Sequence, residues 1–277
     1  MAFQSILVHV DDGPSSAARI RSAVDIARRF GSRMVAMIAS PTPQVSVDIR
    51  QLAPADIAKL TQARETREAN RALLQSCAAQ AGLGQVEMRV LTGELIDAAV
   101  AESRCADLTI LGQPERDDNG AAFARRLTEN AILGSGAPVL ILPYAPSMKT
   151  IGDHVLVAWD GGREAARAVR DALPMLASAK RVTVITVGER AHSGEEAARS
   201  QERLAAYLGV HGIKAKLASL ADVLDDRGEA LLSRMCDLGI DLVVMGGYGH
   251  ARVREIVLGG LTRTMLDSMT VPVLMSH

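Results

Sequence analysis

The chain contains an internal duplication, and this repeat limits the possible folds more than any other feature. Three apolar segments of the first half recur in the second half, in the same order and at similar spacing. The matching pairs are SILVHVDDG (5–13) with DHVLVAWDG (153–161), DLTILG (107–112) with DLVVMG (241–246), and APVLIL (137–142) with VPVLM (271–275). We therefore expect two domains, residues 1–147 and 148–277, with the seam in the proline-containing segment PYAPSMKTIG.

Each half alternates short apolar runs with amphipathic stretches. Helical spacing of apolar residues follows the first run of each half: Ala17, Ile20, Val24 and Ala27, then Ala165, Val169, Leu173 and Leu176. Pro174 should bend or restart the second of these helices. The predicted strands span about 5–10, 33–39, 86–91, 107–112, 138–142, 154–159, 181–187, 214–219, 241–246 and 271–275. Strands that are apolar on both faces and alternate with helices imply parallel sheets, and so two small doubly wound α/β domains.

The composition excludes several classes of function. The formal net charge is −1, from 31 basic and 32 acidic residues, which provides no electrostatic footprint for nucleic acid or an anionic membrane. Three widely separated cysteines argue against a disulfide framework. No apolar run approaches the roughly 18 residues of a membrane span, and the start, MAFQSILVHVDD, lacks the pattern of a signal peptide. We expect a cytoplasmic protein.

Asp160 ends the first predicted strand of the second half, in the sequence VAWDGG. Doubly wound domains bind ligands beyond the C-terminal strand ends, where the strand order reverses. A carboxylate at this position can accept hydrogen bonds from a ribose. It can equally cap the helix that starts near Arg163, and the residues alone leave both roles open.

The segment MGGYGHARVREIVLGGLTR (245–263) follows the fourth predicted strand of the second half. Its glycines would let backbone N–H groups approach an anion. A helix predicted from Gly259 and Gly260 to about Met269 would direct unpaired N–H groups at phosphate. Positive charge could come from His250, Arg252, Arg254 and Arg263. The alternative is a solvated turn with surface arginines, and the segment matches neither G-x-G-x-x-G nor the P-loop.

The glycine spacing of this segment resembles the signature of the universal stress protein family. Gly246 is followed after two residues by Gly249, and Gly249 after nine by Gly259, between DLVVMG and PVL segments. The resemblance, which includes the opening strands, covers nearly the whole chain, once per half, as in a tandem member of that family. It implies two five-stranded parallel sheets of strand order 3-2-1-4-5, an adenine nucleotide alpha hydrolase-like fold. It also implies a stress-response protein that binds ATP, accompanied by Mg²⁺, between strands one and four.

The resemblance assigns binding roles to residues of the second half. Asp160 would hold the ribose, and the backbone of Val187, at the end of the second strand, would meet the adenine edge. The phosphates would lie among Gly246, Gly249, Gly259 and Gly260. Gly260 stands where the family usually has Ser or Thr, and loss of one hydrogen bond to a charged group weakens binding about ten- to a hundredfold. Thr262 is expected to point elsewhere.

The first half lacks this glycine pattern. Gly112 is followed by QPERDDNG, and alignment of the two PVL segments places Arg125 and Arg126 where Gly259 and Gly260 stand. Acidic residues of this region are Asp11, at the end of the first strand, and Asp117 and Asp118. We expect the first half to be a structural partner. The alternative is that Arg125 and Arg126 hold some other anion.

No catalytic constellation emerges, and no metal ligands are predicted. The six histidines lack the paired spacing of metal ligands, and no G-x-S-x-G elbow is present. Any ATPase activity is expected to be slow. Trp159 either stacks on a ligand or belongs to the core. His250, the histidine nearest the expected phosphates, either faces solvent or takes part in catalysis.

Three functional hypotheses stay open. The first is a nucleotide-responsive regulator with protein partners. The second is a nucleotide-free scaffold, a homodimer or an intramolecular pseudo-dimer, in which Val139–Leu142 and Val271–Met275 pair and cover two sheet edges. The third is an enzyme acting on a small anion near Arg125. Nucleic acid and membranes are not expected as partners.

Overall fold

The computed structural model describes residues 2–39, 53–114, 120–145, 150–187, 194–219, 227–249 and 260–277. The chain forms two compact units, Ala2–Ser135 and Gly136–His277. The first contains β1 (Ser5–Val10), α1 (Ser16–Phe30), β2 (Arg33–Ile38), α2 (Pro54–Gln80), β3 (Glu87–Val90), α3 (Leu95–Ser103), β4 (Leu108–Gly112) and α4 (Ala121–Gly134). The second contains β5 (Val139–Leu142), β6 (His154–Trp159), α5 (Arg163–Asp171), α6 (Leu173–Ser178), β7 (Arg181–Thr186), α7 (Gly194–Val210), β8 (Ala215–Ser219), α8 (Arg227–Leu238), β9 (Leu242–Gly246), α9 (Gly260–Ser268) and β10 (Val273–Ser276).

The strands of the first unit are parallel and lie in the order β3-β2-β1-β4. The register places Leu7 of β1 between Val35 of β2 and Thr109 of β4. Helix α1 packs against β1 and β4. It buries Ile20, Ala23, Val24 and Ala27, which share one helical face because the helix turns once every 3.6 residues.

The second unit confirms the predicted fold class. The order β8-β7-β6-β9-β10, all parallel, is the expected 3-2-1-4-5. Val157 of the central strand β6 lies between Val184 of β7 and Val244 of β9, and all three side chains are fully buried. The observed strands agree with the predicted ones to within about two residues at each end, the ordinary uncertainty of such boundaries.

The last strand of the first repeat, β5, lies in the second unit. It pairs antiparallel with β10, where Val139 faces Met275, Leu140 faces Leu274 and Ile141 faces Val273. The predicted pairing of the two last strands within one chain is therefore confirmed. The division between the compact units falls between Ser135 and Gly136, and the predicted domain boundary after residue 147 stays a prediction.

The predicted helix break at Pro174 is also confirmed. Helix α5 ends at Asp171 and α6 restarts at Leu173, with Pro174 in its first turn, where a missing N–H costs nothing. In the long helix α2, the buried residues are Asn70, Leu74 and Ala78. Among the helices that the structure describes, none combines the length and apolar character needed to cross a membrane.

Candidate functional site

The candidate site lies where parallel strands of the second unit end. Strand β6 has β7 on one side and β9 on the other, so the strand order reverses there. Asp160 follows β6, Val187 follows β7, and Gly246 ends β9. Neighbouring parallel strands present their C-terminal ends at one edge, so the fold brings these three predicted residues together. Gly259 lies outside the described residues.

Asp160 forms a tight turn at the exit of β6. Its Oδ1 accepts a hydrogen bond from the Gly162 N–H at 2.7 Å, and Gly161 adopts a left-handed φ of 73°. Helix α5 begins at Arg163, with Gly162 as its N-cap residue. The capping alternative for Asp160 is therefore replaced by an Asx turn that leads the chain into the helix. The Asp160 side chain is half-buried at this edge.

Trp159 is anchored by the protein itself. Its Nε1 donates a hydrogen bond to the Ser200 Oγ of α7 at 2.9 Å. A buried or half-buried indole usually finds such a partner. The contact fixes α7 beside the end of β6 and supports a structural role for Trp159 over a stacking role.

The end of β7 presents one engaged and one unsatisfied polar group. The Val187 N–H donates to the Trp159 carbonyl oxygen at 2.8 Å, so an adenine contact at Val187 would use its carbonyl. The neighbouring Thr186 Oγ1 is buried and has no hydrogen-bond partner among the described residues. Because an unsatisfied buried hydroxyl is costly, Thr186 is a group that a ligand or a water molecule would stabilise. Sequence reasoning missed it.

Gly246 and Gly249 have close protein neighbours. A Cβ atom added at Gly246 would lie 2.6 Å from the Ala165 backbone nitrogen. A Cβ added at Gly249 would lie 3.0 Å from Glu164 Oε2. The first turn of α5 therefore occupies the space beside both glycines. Packing alone gives Gly246 a reason to be glycine, independent of any phosphate, because its neighbour is helix backbone. At Gly249 the neighbour is the tip of the Glu164 side chain.

Glu164 places a buried carboxylate in the candidate site. The residue is 7% exposed, and its Oε1 accepts a hydrogen bond from Arg163 Nε at 2.5 Å. Burial alone would raise the pKa of Glu164, but Arg163, a backbone hydrogen bond and His277 together lower that pKa below its ordinary value. The carboxylate is therefore ionised at neutral pH.

The described residues leave the first residue of α9 uncovered. Gly260 is exposed, and a Cβ added there would meet no heavy atom of the described residues within 4 Å. Thr262 is buried, and its Oγ1 accepts a hydrogen bond from the Tyr248 N–H at 3.4 Å. This hydroxyl is thus engaged by the glycine segment itself. Arg263 pairs with Asp267 at 3.6 Å. The other predicted cations, His250, Arg252 and Arg254, lie outside the described residues.

The first unit closes the equivalent crevice with an arginine. Asp11 forms the same Asx turn, with its Oδ1 accepting from the Gly13 N–H at 3.1 Å. The Arg19 side chain is 3% exposed, and its Nη2 lies 2.7 Å from Asp11 Oδ1. Arg19 Nε also donates to the His9 carbonyl oxygen at 2.8 Å. A Cβ added at Gly112 would lie 2.0 Å from Arg19 Nη1, so the guanidinium fills the space above the β4 end.

In the ion pair between Asp11 and Arg19, the two opposite charges neutralise each other. Burial alone would raise the pKa of Asp11, but Arg19, His9 and the hydrogen bond from Gly13 lower it to about 2. Burial lowers the pKa of His9, which keeps its ring neutral at neutral pH. The His9 Nε2 lies 2.7 Å from the Ala39 carbonyl oxygen. The crevice therefore holds little net charge to attract an anionic ligand.

The space left in the first crevice is small. A cavity of about 30 Å³ remains, lined by Asp11 and Arg19 and, from α4, by Ala124, Leu127 and Thr128. That volume suits one or two water molecules. Arg125 and Arg126 lie within α4 and are not among the residues that line it. The structure therefore favours a structural role for the first half over an anion held by Arg125 and Arg126. Asp117 and Asp118 lie outside the described residues.

Comparison with known proteins identifies the family. The model of the universal stress protein family matches residues 2–143. The chain belongs to the universal stress protein family. The universal stress protein Slr1230 of Synechocystis sp. (strain ATCC 27184 / PCC 6803 / Kazusa) is 28% identical over 200 residues, covering 70% of this chain. The match spans 66% of that protein, slightly less than two thirds of its length.

Solved structures agree with the universal stress protein fold. A universal stress protein from Archaeoglobus fulgidus DSM 4304 has a TM-score of 0.71 at 16% identity, covering 98% of this chain and 97% of its own. The functionally unknown protein PA1789 from Pseudomonas aeruginosa PAO1 has a TM-score of 0.60 at 17% identity, covering 99% and 92%. At these identities the likeness concerns the fold alone. In the described ranges, no group of three or more His, Cys, Asp and Glu side chains could hold a metal ion.

Arg19 and Glu164 are the charged groups that sequence reasoning missed. Strands β1 and β6 begin at Ser5 and His154, and this register sets Arg19 opposite Ala168 and Ser15 opposite Glu164 of the other repeat. Each repeat of this universal stress protein therefore places one charge where the other has none. This difference between the repeats could have identified both residues from the sequence.

The difference was missed because the two repeats were aligned with an error of one residue. The text match of SILVHVDDG with DHVLVAWDG sets Asp12 against Asp160. The strand register and the shared Asx turn set Asp11 against Asp160 instead. Only the second alignment sets both Arg19 and Glu164 opposite uncharged residues of the other repeat.

Proposed function

We propose that this chain is a regulator whose second unit binds ATP or a related adenine nucleotide, and that binding alters its contacts with protein partners in the cytoplasm. The proposal adds a ligand and named residues to the family membership. Mg²⁺ would enter together with the phosphates of the nucleotide. Hydrolysis, if it occurs, would be slow.

The observation that carries the proposal is the first turn of α9, where the described residues leave Gly260 exposed. The first N–H groups of a helix have no partner within the helix, and they attract anions through their dipole. The exposed Gly260 begins this turn. The hydrogen bond between Thr262 and Tyr248 ties the turn to the segment after β9, at the edge where Asp160 and Val187 also lie.

Each part of an adenine nucleotide has a matching group at this edge. The half-buried carboxylate of Asp160 would accept hydrogen bonds from the ribose. The Val187 carbonyl and the unsatisfied Thr186 hydroxyl would meet the adenine base. The first turn of α9, at Gly260, would hold the phosphates. The bound nucleotide would supply an anionic chain and a planar base, and this protein would bind and orient both.

A pair of substitutions at Gly260 tests the proposal. We expect Gly260→Ser to tighten ATP binding about ten- to a hundredfold, because it adds one hydrogen bond to a charged group where the added Cβ has space. Gly260→Ala adds the Cβ without the hydroxyl and should stay within about threefold of wild type. Titration calorimetry with ATP, ADP, AMP and cyclic AMP measures both variants against the unaltered chain.

The outcomes separate the nucleotide site from a general helix effect. Equal tightening by Ser and Ala would attribute the gain to the helix rather than to the hydroxyl. Absence of heat with all four nucleotides, in wild type and in Gly260→Ser, would contradict nucleotide binding. Mass spectrometry of small molecules that co-purify with the chain provides an independent reading.

A nucleotide-free scaffold is the second candidate function, and two observations favour it. Gly246 is explained by its contact with the backbone of α5, without a ligand. The pairing of β5 with β10 covers sheet edges within one chain. Such a scaffold would bind its partners, including other copies of the chain, equally well with and without nucleotide. Light scattering of the purified protein, with and without ATP, measures the assembly part of this expectation.

A further inference from the structure

We propose that Glu164 makes the second unit selective for adenine compounds of low negative charge, nucleosides and monophosphates, over the triphosphate. The inference rests on the proposed nucleotide site and names the class of ligand that this site accepts. Glu164 would act as a specificity-determining residue, by repelling additional phosphates.

The position of Glu164 carries the first step. Its Oε2 lies 3.0 Å from the point where a Cβ on Gly249 would stand, and its own Cβ lies 2.9 Å from the same point on Gly246. The side chain thus occupies the space between the first turn of α5 and the glycine segment. A phosphate drawn to the Gly249 backbone would meet a carboxylate oxygen.

The second step is that Glu164 keeps its negative charge beside the glycine segment. Its ion-pair partner Arg163 has a side chain that is 81% exposed, and water screens an ion pair of this kind strongly. His277 also interacts with the carboxylate, and its Nδ1 contacts the Gly247 carbonyl oxygen at 3.0 Å. A phosphate at Gly249 would therefore meet an ionised carboxylate whose ion pair with Arg163 is screened by water.

The first repeat shows that the shared framework does not require this carboxylate. The register sets Ser15 opposite Glu164, and both repeats make their Asx turns, at Asp11 and Asp160. Glu164 therefore adds a property to the second repeat alone. The turn that leads into the helix is built without it.

The third step is the dependence on phosphate number. Like charges a few ångströms apart, in surroundings less polar than water, repel by several times the thermal energy. Each phosphate added beyond the first brings more charge toward Gly249 and Glu164. We therefore expect the affinity to fall in the order AMP, ADP, ATP, by about tenfold from first to last.

Glu164→Gln tests the inference because glutamine keeps the shape and removes the charge. Titration calorimetry with adenosine, AMP, ADP and ATP, in EDTA at low ionic strength, should show that the variant binds ATP about tenfold more tightly than wild type. Its affinity for adenosine should be unchanged. Glu195→Gln is the matched control, since it removes one charge from an 85% exposed side chain on α7, and it should leave all four affinities as in wild type.

Each possible result of these titrations supports or contradicts either the charge selectivity or the nucleotide site. Equal effects of Glu164→Gln on all four compounds, or the same change in Glu195→Gln, would overturn the charge selectivity while leaving the nucleotide site in place. ATP binding that requires Mg²⁺ in wild type and is lost in Glu164→Gln would also overturn it, because Glu164 would then hold the ion. No binding of any compound to either protein would overturn the proposed function itself.

Discussion

The two crevices of this chain start from the same turn, and each adds a charged residue of the opposite sign. In the first unit, Asp11 turns the chain and a buried cation, Arg19, fills the space behind it. In the second, Asp160 makes the same turn, Ala168 stands at the arginine position, and Glu164 brings a carboxylate. The two repeats therefore share the turn at the end of the strand. They differ in the charged residue that lies beside it, which is Arg19 in the first repeat and Glu164 in the second.

The glycines that end β4 and β9 illustrate the same difference. Gly112 makes room for the tip of a side chain, the Arg19 guanidinium. Gly246 makes room for the backbone of α5, at Ala165. A side-chain tip can move aside, whereas a helix backbone moves only with everything packed on it. Matching residues in the two repeats therefore support different parts of the structure.

Removing the buried cation should have the largest effect on stability. We expect Arg19→Ala to lower the free energy of unfolding of the first unit by about 3–5 kcal/mol, because it leaves the Asp11 carboxylate buried without its partner. Arg21→Ala on the same helix, whose guanidinium makes one long exposed contact with the Ala17 carbonyl oxygen, should cost less than about 0.5 kcal/mol. Urea unfolding measures both. Similar losses in the two variants would mean that the crevice of the first unit does not depend on the ion pair.

The two strand-end glycines should differ when a methyl group is added. Gly246→Ala is expected to cost about 3 kcal/mol, because its Cβ would lie against the α5 backbone, and Gly112→Ala about 1 kcal/mol, because Arg19 can shift. Gly209→Ala, where no heavy atom of the described residues lies within 4 Å of the added Cβ, should stabilise α7 by about 0.5–1 kcal/mol. Thermal and urea unfolding rank the three variants. Equal costs at Gly112 and Gly246 would remove the distinction drawn above.

Acid should weaken the first crevice by a smaller amount. The pKa of Asp11 is about 2 in the folded chain, below the ordinary 3.8. This depressed pKa contributes about 2 kcal/mol of stability above pH 4, and the contribution is lost as the pH falls from about 4 through 2. Unfolding free energies measured across that range should fall less steeply in Asp11→Asn than in wild type. Asp12→Asn retains the ion pair and should keep the full acid-dependent loss, so a shallow slope in that variant would argue against Asp11 as its source.

The strands were predictable, because apolar runs and their alternation with helices are local properties of the sequence. Pro174 marked a helix break for the same reason. The order of the strands was implied by the family resemblance. Asp160 and Gly246 were predicted from their places at strand ends, and the family resemblance added Val187. These features require no knowledge of how distant side chains meet.

The contents of the crevices could not be predicted in the same way. An arginine in an amphipathic helix is ordinarily exposed, and Arg19 is buried only because Asp11, at the end of a strand, meets it. Glu164 looks like a favourable acidic residue in a first helical turn, and its place beside Gly249 depends on how α5 packs against β9. Both depend on contacts between elements, which periodicity does not encode.

The pairing of β5 with β10 has a consequence for how this chain is made. Strand β5 leaves the ribosome about 130 residues before its antiparallel neighbour β10. While the intervening elements of the second unit are made, β5 is without this neighbour, and contacts of such long sequence separation form slowly. The sheet of the second unit is therefore completed late in folding.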